Sequence, residues 1–107
     1  HLSIRRQRQM YIRDRAWQDG EAVGLVHFTI TALLARGDYC YLQDLLVAEH
    51  IRGGGIGRAL IEHVYTAARA AGASRVHWLT QESNYQGRML YDRIGDRSGF
   101  IQYRKLL

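Results

Sequence analysis

The segment Arg52-Gly53-Gly54-Gly55-Ile56-Gly57-Arg58 places four glycines in five positions, between the apolar run YCYLQDLLV and a run with helical spacing. Glycine loses more conformational freedom on folding than any other residue, so the cluster marks a turn rather than the inside of an element. The run before it is apolar and aromatic almost throughout, as a central strand covered on both faces would be. After it, Ile56, Ala59, Leu60, His63, Val64, Ala67 and Ala71 recur at i, i+3, i+4, i+7, with Arg58, Glu62 and Arg69 off that stripe. Gly72 stands where a glycine C-cap would end the helix. Any fold for this chain must therefore contain a buried strand, a glycine loop and a helix in direct succession.

Strand signals lie on both sides of that unit. Residues 1–8, HLSIRRQR, are polar and basic and read as a tail or helix remnant. From Gln9, MYIRDRAW and AVGLVHFTIT flank a QDGE turn, and an Asp-Gly pair between two such runs signals a hairpin. A second turn is expected at Arg36-Gly37-Asp38. Beyond the helix, RVHWLT reads as a strand. Asn84 is placed to cap a short helix through Ile94, with Met89, Leu90 and Ile94 on its buried side. Gly95 to Gly99 form a loop, and FIQYRKLL closes as a strand. The order β-β-β-α-β-α-β predicts an α/β (α+β) fold: a mixed, mostly antiparallel sheet flanked by helices, with one helix inside a crossover. At 107 residues it reads as one domain, 1–107, too short for a multidomain enzyme.

Composition narrows the classes. The chain has 47% hydrophobic and 23% charged residues and no proline, which excludes collagen-like, low-complexity and disordered readings. The lone Cys40 excludes an internal disulfide and leaves no cysteine pair for zinc, so a reducing, cytoplasmic setting is expected. No apolar run approaches the roughly 20 residues of a membrane span, and residues 1–17 hold no signal-peptide core. Fifteen basic residues against ten acidic ones give a net charge of +5, and fourteen of the fifteen are arginine. Such a balance suits a phosphorylated cofactor, a nucleic acid or simply a solvated basic face.

The glycine loop favours the cofactor. Glycines permit positive φ and close backbone approach, so several N–H groups can point at one anion. The helix N-terminus adds its unpaired donors and positive dipole end, and Arg52 and Arg58 supply charge-assisted contacts. This is the chemistry of a diphosphate cradle. A Walker loop needs Gly-Lys-Ser/Thr, whereas Gly57 is followed by Arg58-Ala59. The dinucleotide fingerprint needs a third glycine where Leu60 stands.

What the segment does match is Arg-x-x-Gly-x-Gly after a strand ending Leu-x-Val. In this it resembles the acetyl-CoA pyrophosphate motif of the GNAT superfamily of N-acetyltransferases. Asn84 followed seven residues later by Tyr91, inside NYQGRMLYDRIG, resembles the second motif of that superfamily. Together, YLQDLLV, RGGGIG, HWLTQESN and LYDRIG look most like the branch holding spermidine/spermine and fungal histone/polyamine-type acetyltransferases. The resemblance covers roughly residues 20–107. Relative to the family the chain looks short at its N-terminus, lacking the usual first strand and two helices.

The resemblance implies direct attack of a primary amine (of a polyamine, a lysine side chain or a small amino compound) on the thioester of acetyl-CoA. Three chemical needs follow. An amine of pKa near 10.4 must lose a proton, which costs about 4.6 kcal/mol at pH 7. The oxyanion needs donors, and the departing thiolate benefits from a proton. By the family pattern Tyr91 protonates the thiolate, and Asn84 bonds the pantetheine arm besides capping its helix. The backbones of Leu45, Leu46 and Val47 pair with the pantetheine amides, as an added strand would. Leu46 is the expected oxyanion donor. The diphosphate falls to Arg52, Gly53, Gly54, Gly55, Ile56, Gly57 and Arg58. At the general base the pattern breaks, because Gln43 stands where the polyamine acetyltransferases have a glutamate. Asp44, expected on the other face of the strand from Gln43, Glu82 at the end of the next strand, and a water relay are the candidates.

Other features read as structural. His63 is expected to pack, Cys40 to be an ordinary buried residue, and Trp78 and Tyr41 to be sheet packing. His27 and His77 lie in strands without ligand partners at metal spacing, and no metal is expected. A homodimer is expected by resemblance and from an edge presented by the final strand. Two other functional classes stay open: an acyl-CoA-binding module with impaired catalysis, suggested by Gln43 and by the missing N-terminal part, and a basic nucleic-acid-binding domain, against which stand the cradle and the solvated look of Arg5, Arg6 and Arg8.

Overall fold

A computed structural model describes residues 9–31, 38–51 and 54–107. The tail expected over residues 1–8, most of the turn expected at Arg36 to Asp38, and Arg52 and Gly53 fall outside the described residues. Strand β1 (Gln9–Gln18) turns through Asp19 and Gly20 into β2 (Glu21–Thr31). Both turn residues have positive φ, 50° and 77°, the geometry of a two-residue hairpin matched to strand twist. β3 (Asp38–Val47) pairs antiparallel with β2, and one turn of 3-10 helix follows at Glu49–Ile51. Helix α1 (Ile56–Ala70) then crosses over to β4 (Ala73–His77), which lies parallel to β3. Helix α2 (Tyr85–Ile94) is the last regular element. The sheet order is β1-β2-β3-β4. This is the mixed, mostly antiparallel α/β arrangement expected, with α1 as the crossover helix.

The core lies on one face of the sheet. Val26, Phe28 and Ile30 of β2, with Cys40 and Leu42 of β3, meet Leu60, Ile61, Val64 and Ala68 of α1. The buried stripe of α1 is therefore turned from the one expected. Ile61 and Ala68 are inside, whereas Ala59 and His63 face out. Burying Ile61 is worth about 1.5–3 kcal/mol, and no comparable gain offsets desolvation of an imidazole. His63 instead sits at the rim, edge-on to Phe28 and with Nε2 2.6 Å from Asp14 Oδ2, so the expectation that it packs is corrected. Gly72, at φ 83°, ends α1 as expected, its N–H donating to the Arg69 carbonyl.

Three further departures sit in the last third of the chain. β4 ends at His77, because Trp78 turns out of the strand to pack on Tyr65 and Tyr91. On α2, Leu90, Tyr91 and Ile94 pack against the core, but Met89 is 62% exposed. The strand expected over 100–107 does not form: no ladder joins this segment to the sheet, and Phe100 and Tyr103 are 91% and 87% exposed. An extended segment becomes a strand only when another edge takes up its N–H and C=O groups. Among the described residues, no helix is long and apolar enough to cross a membrane.

Candidate active site

The glycine loop ends in Gly55, which caps α1 from the left-handed region (φ 79°, ψ 9°) with no side-chain hydrogen bond. The Ala59 N–H makes the first intrahelical bond, to the Gly55 carbonyl at 3.0 Å. The N–H groups of Ile56, Gly57 and Arg58 thus belong to the unpaired first turn, with the positive end of the helix dipole behind them. Gly54 and Gly55 are exposed, and Gly57 is half-buried where α1, β3 and α2 meet. A Cβ at Gly57 would lie 3.5 Å from Leu90 and 3.8 Å from Val47. Arg58 is engaged with Glu62 at 2.9 Å, both more than half exposed. Such a pair contributes about 0.3–0.5 kcal/mol and yields readily to a stronger anion.

A fork in the sheet opens beside this cradle. The β3–β4 ladder runs Asp38↔Ala73, Cys40↔Val76, Tyr41↔His77 and stops. β3 continues to Val47, still paired with β2, so Leu45, Leu46 and Val47 have β2 on one side and no described strand on the other. That leaves an open edge of backbone donors and acceptors leading from the fork apex toward the glycine loop. Just beyond the apex, β3 carries a bulge. Phe28 faces Leu42 and His27 faces Asp44, leaving Gln43 as the extra residue. The bulge resets the alternation: Cys40 and Leu42 face the core before it, and Leu45 and Val47 after it. Asp44 is thereby turned to the face opposite α1, where its Oδ2 lies 3.3 Å from His27 Nδ1.

Tyr91 stands at the other arm of the fork. Trp78 follows the last paired residue of β4, and Tyr91 packs edge-on against it with ring centroids 5.6 Å apart. Gly95 makes room for this contact, since a Cβ there would come 2.9 Å from the Trp78 ring. Asn84 caps α2 by accepting from the Gly87 N–H at 3.2 Å and donates to Thr80 at 2.9 Å. Burial pushes the Tyr91 phenol above its ordinary pKa, so it keeps its proton at neutral pH. Its hydroxyl makes no hydrogen bond among the described residues.

The Acetyltransferase (GNAT) family model matches residues 2–96 of this sequence. The chain belongs to the GNAT family. A curated relative, the D-amino-acid N-acetyltransferase HPA3 of Saccharomyces cerevisiae, is 31% identical over 90 residues, covering 82% of this chain. The chain spans 55% of that relative's length. Among solved structures, an aminoglycoside acetyltransferase from an uncultured soil metagenomic sample superimposes with TM-score 0.81 at 25% identity, covering 91% of this chain and 66% of the other. An aminoglycoside N-acetyltransferase solved with CoA gives TM-score 0.74 at 22% identity, covering 89% and 66%.

Within this GNAT chain the fold gathers Gly54, Gly55, Ile56, Gly57 and Arg58 at one end of the open β3 edge, with Tyr91 and Asp44 near the fork apex. Glu82 is not at a strand end: it lies in the turn five residues past β4, where its carbonyl accepts from Arg88 at 2.6 Å. The bulge and the His27–Asp44 pair were missed. The phase change in YCYLQDLLV, with apolar residues at 40 and 42 and then at 45 and 47, was the available signal. Among the described residues, no group of three His, Cys, Asp or Glu is placed to hold a metal ion.

Proposed function

We propose that the protein is an acetyl-CoA-dependent N-acetyltransferase that acts as a homodimer and moves the acetyl group to a primary amine by direct attack. The fork carries this reading: an open β3 edge runs between a helix N-terminus that no side chain caps and a half-buried, protonated tyrosine near the apex. The residues fit the proposed co-substrate. The α1 N-terminus and Arg58 suit the diphosphate, the backbones of Leu45 to Val47 suit two amides in a row, and Tyr91 is placed to give a proton to a thiolate. Asn84, whose side-chain oxygen and amide already serve the cap and Thr80, holds the arm that carries Tyr91 and meets the pantetheine with its remaining N–H. The nearness to a D-amino-acid acetyltransferase adds α-amines to the polyamines, lysine side chains and small amino compounds expected as acceptors.

Tyr91→Phe is expected to lower kcat about 100-fold, the lower end for loss of a positioned acid, and to leave acetyl-CoA affinity within twofold. Unchanged turnover would remove Tyr91 from the chemistry. Gln43, which takes up no proton, favours a second reading as a binding module without catalysis. Calorimetry with acetyl-CoA beside an assay over spermidine, a lysine peptide, D-amino acids and aminoglycosides separates the two: binding with no acetylation of any amine supports the module.

A further inference from the structure

Resting on the acetyltransferase reading, we infer that His27, oriented by Asp44, is the proton acceptor for the attacking amine. The position that would hold a carboxylate base is Gln43, and Glu82 sits in a turn past the strand. The bulge at Gln43 offers a replacement. It turns Asp44 onto the same face as His27, its cross-strand partner, and brings the carboxylate within 3.3 Å of His27 Nδ1. An Nδ1–H donated to a carboxylate leaves the lone pair on Nε2, the arrangement that makes a neutral imidazole a base. His27 makes no other hydrogen bond among the described residues, and at 17% side-chain exposure it is shielded yet open to solvent.

The pair is also in the right place. Tyr41↔His77 closes the β3–β4 ladder, and Asp44 is three residues beyond it on the β3 arm. Tyr91 packs on Trp78, the first residue beyond the same apex on the β4 arm. Asp44 and Tyr91 thus lie on the two arms beyond the point where the strands part, with Asp44 and its partner His27, one strand in from the open edge, on the sheet face opposite the helices. Around His27 the same face carries Arg13, its partner on β1, and Asp44 on β3. Tyr41 and His77, whose rings meet at a tilt with centroids 5.0 Å apart, lie one position further along that face.

The step balances. The acceptor ammonium gives one proton to His27 Nε2, directly or through one water, and the neutral nitrogen attacks the thioester carbon. The new C–N bond forms, the oxyanion collapses and the C–S bond breaks. The thiolate takes the Tyr91 proton, the second proton shed by the nitrogen restores the tyrosine, and the proton on His27 leaves to solvent. One proton is released per amide formed.

His27→Gln retains a polar side chain without a base. Measured across pH 5.5–9.5 with the best amine of the panel, it is expected to lower kcat/KM for the amine at least 100-fold. The acid limb of the pH profile should vanish while KM for acetyl-CoA stays within twofold. Imidazole in the buffer should restore part of the activity of His27→Ala, a response that a purely structural histidine would not give. Asp44→Asn, which spares the imidazole, should lower the rate and displace the acid limb, and it decides the matter should the His27 variants not fold. A wild-type protein that acetylates amines, with His27→Gln and Asp44→Asn keeping its rate and profile, overturns the inference and leaves the acetyltransferase reading standing. A wild-type protein that acetylates no amine overturns both.

Discussion

Gly24 shows how closely the sheet and α1 meet at the cofactor end. It pairs with Val47 on β3, and a Cβ added there would lie 2.7 Å from Leu60 Cδ1, 3.2 Å from Ile56 Cγ2 and 3.2 Å from the Leu46 carbonyl. Two of those neighbours are side chains of α1, whose first turn forms the cradle, so a Cβ is admitted only if the Leu60 and Ile56 side chains or the helix itself give way. Gly24→Ala is expected to cost about 1–3 kcal/mol, the usual range for overpacking, and to lower Tm by several degrees in a calorimetric scan. A melting point equal to wild type would show that Leu60 and Ile56 yield at no cost and that the packing here is not tight. At this scale the sequence was readable wherever the cause was local. Asn84 caps α2 and Gly72 ends α1 because both act within one turn of their own position. His63 was not readable, because its place depends on Asp14, 49 residues away. Met89 likewise: which side of α2 is buried depends on Trp78 and α1, not on the helix's own spacing.

At the scale of elements, β3 is both core strand and site. Period-2 alternation set by Cys40 and Leu42 would carry Asp44 and Leu46 into the core and expel Leu45 and Val47. The single extra residue at Gln43 reverses that outcome. Deleting Gln43 is therefore expected to leave Leu42 opposite Phe28 and Asp44 opposite His27, with the core retained and Tm changed by only a few degrees. Inserting one alanine after Leu45 throws Val47 off its face and is expected to unfold much of the strand. Thermal melts by circular dichroism compare the two, and equal loss of stability would contradict the bulge as the phase-setting device. The glycine loop, the helix after it and the hairpin at Asp19-Gly20 were legible because turn chemistry and periodicity specify them. The bulge was visible only as a break in the apolar phase. The closing strand was not decidable, since its alternation says nothing about which edge will take it.

For the whole molecule, the proposed dimer rests on what that closing segment leaves uncovered. The radius of gyration is 16.0 Å, where a compact domain of this length has about 13 Å. Phe100, Ile101, Tyr103 and Leu106 are 91%, 74%, 87% and 79% exposed, and the sheet order ends at β4. Exposed aromatic and aliphatic side chains in an extended segment, beside a sheet that ends in a short strand, have a natural mutual partner in a second copy. Each copy's segment would add to the other's sheet, as isologous symmetry requires. Burying about 1,200–2,000 Å² in total is typical of a stable pair, which four such side chains from each copy, together with their backbone, go far toward supplying. Sedimentation equilibrium at tens of micromolar is expected to give twice 12.3 kDa. Phe100→Asp combined with Tyr103→Asp is expected to give the monomer mass with the melting of β1–β4 retained. A wild-type chain that sediments as a monomer, with these four side chains reactive to surface labelling, would remove the dimer from the proposal without touching the cradle or the fork.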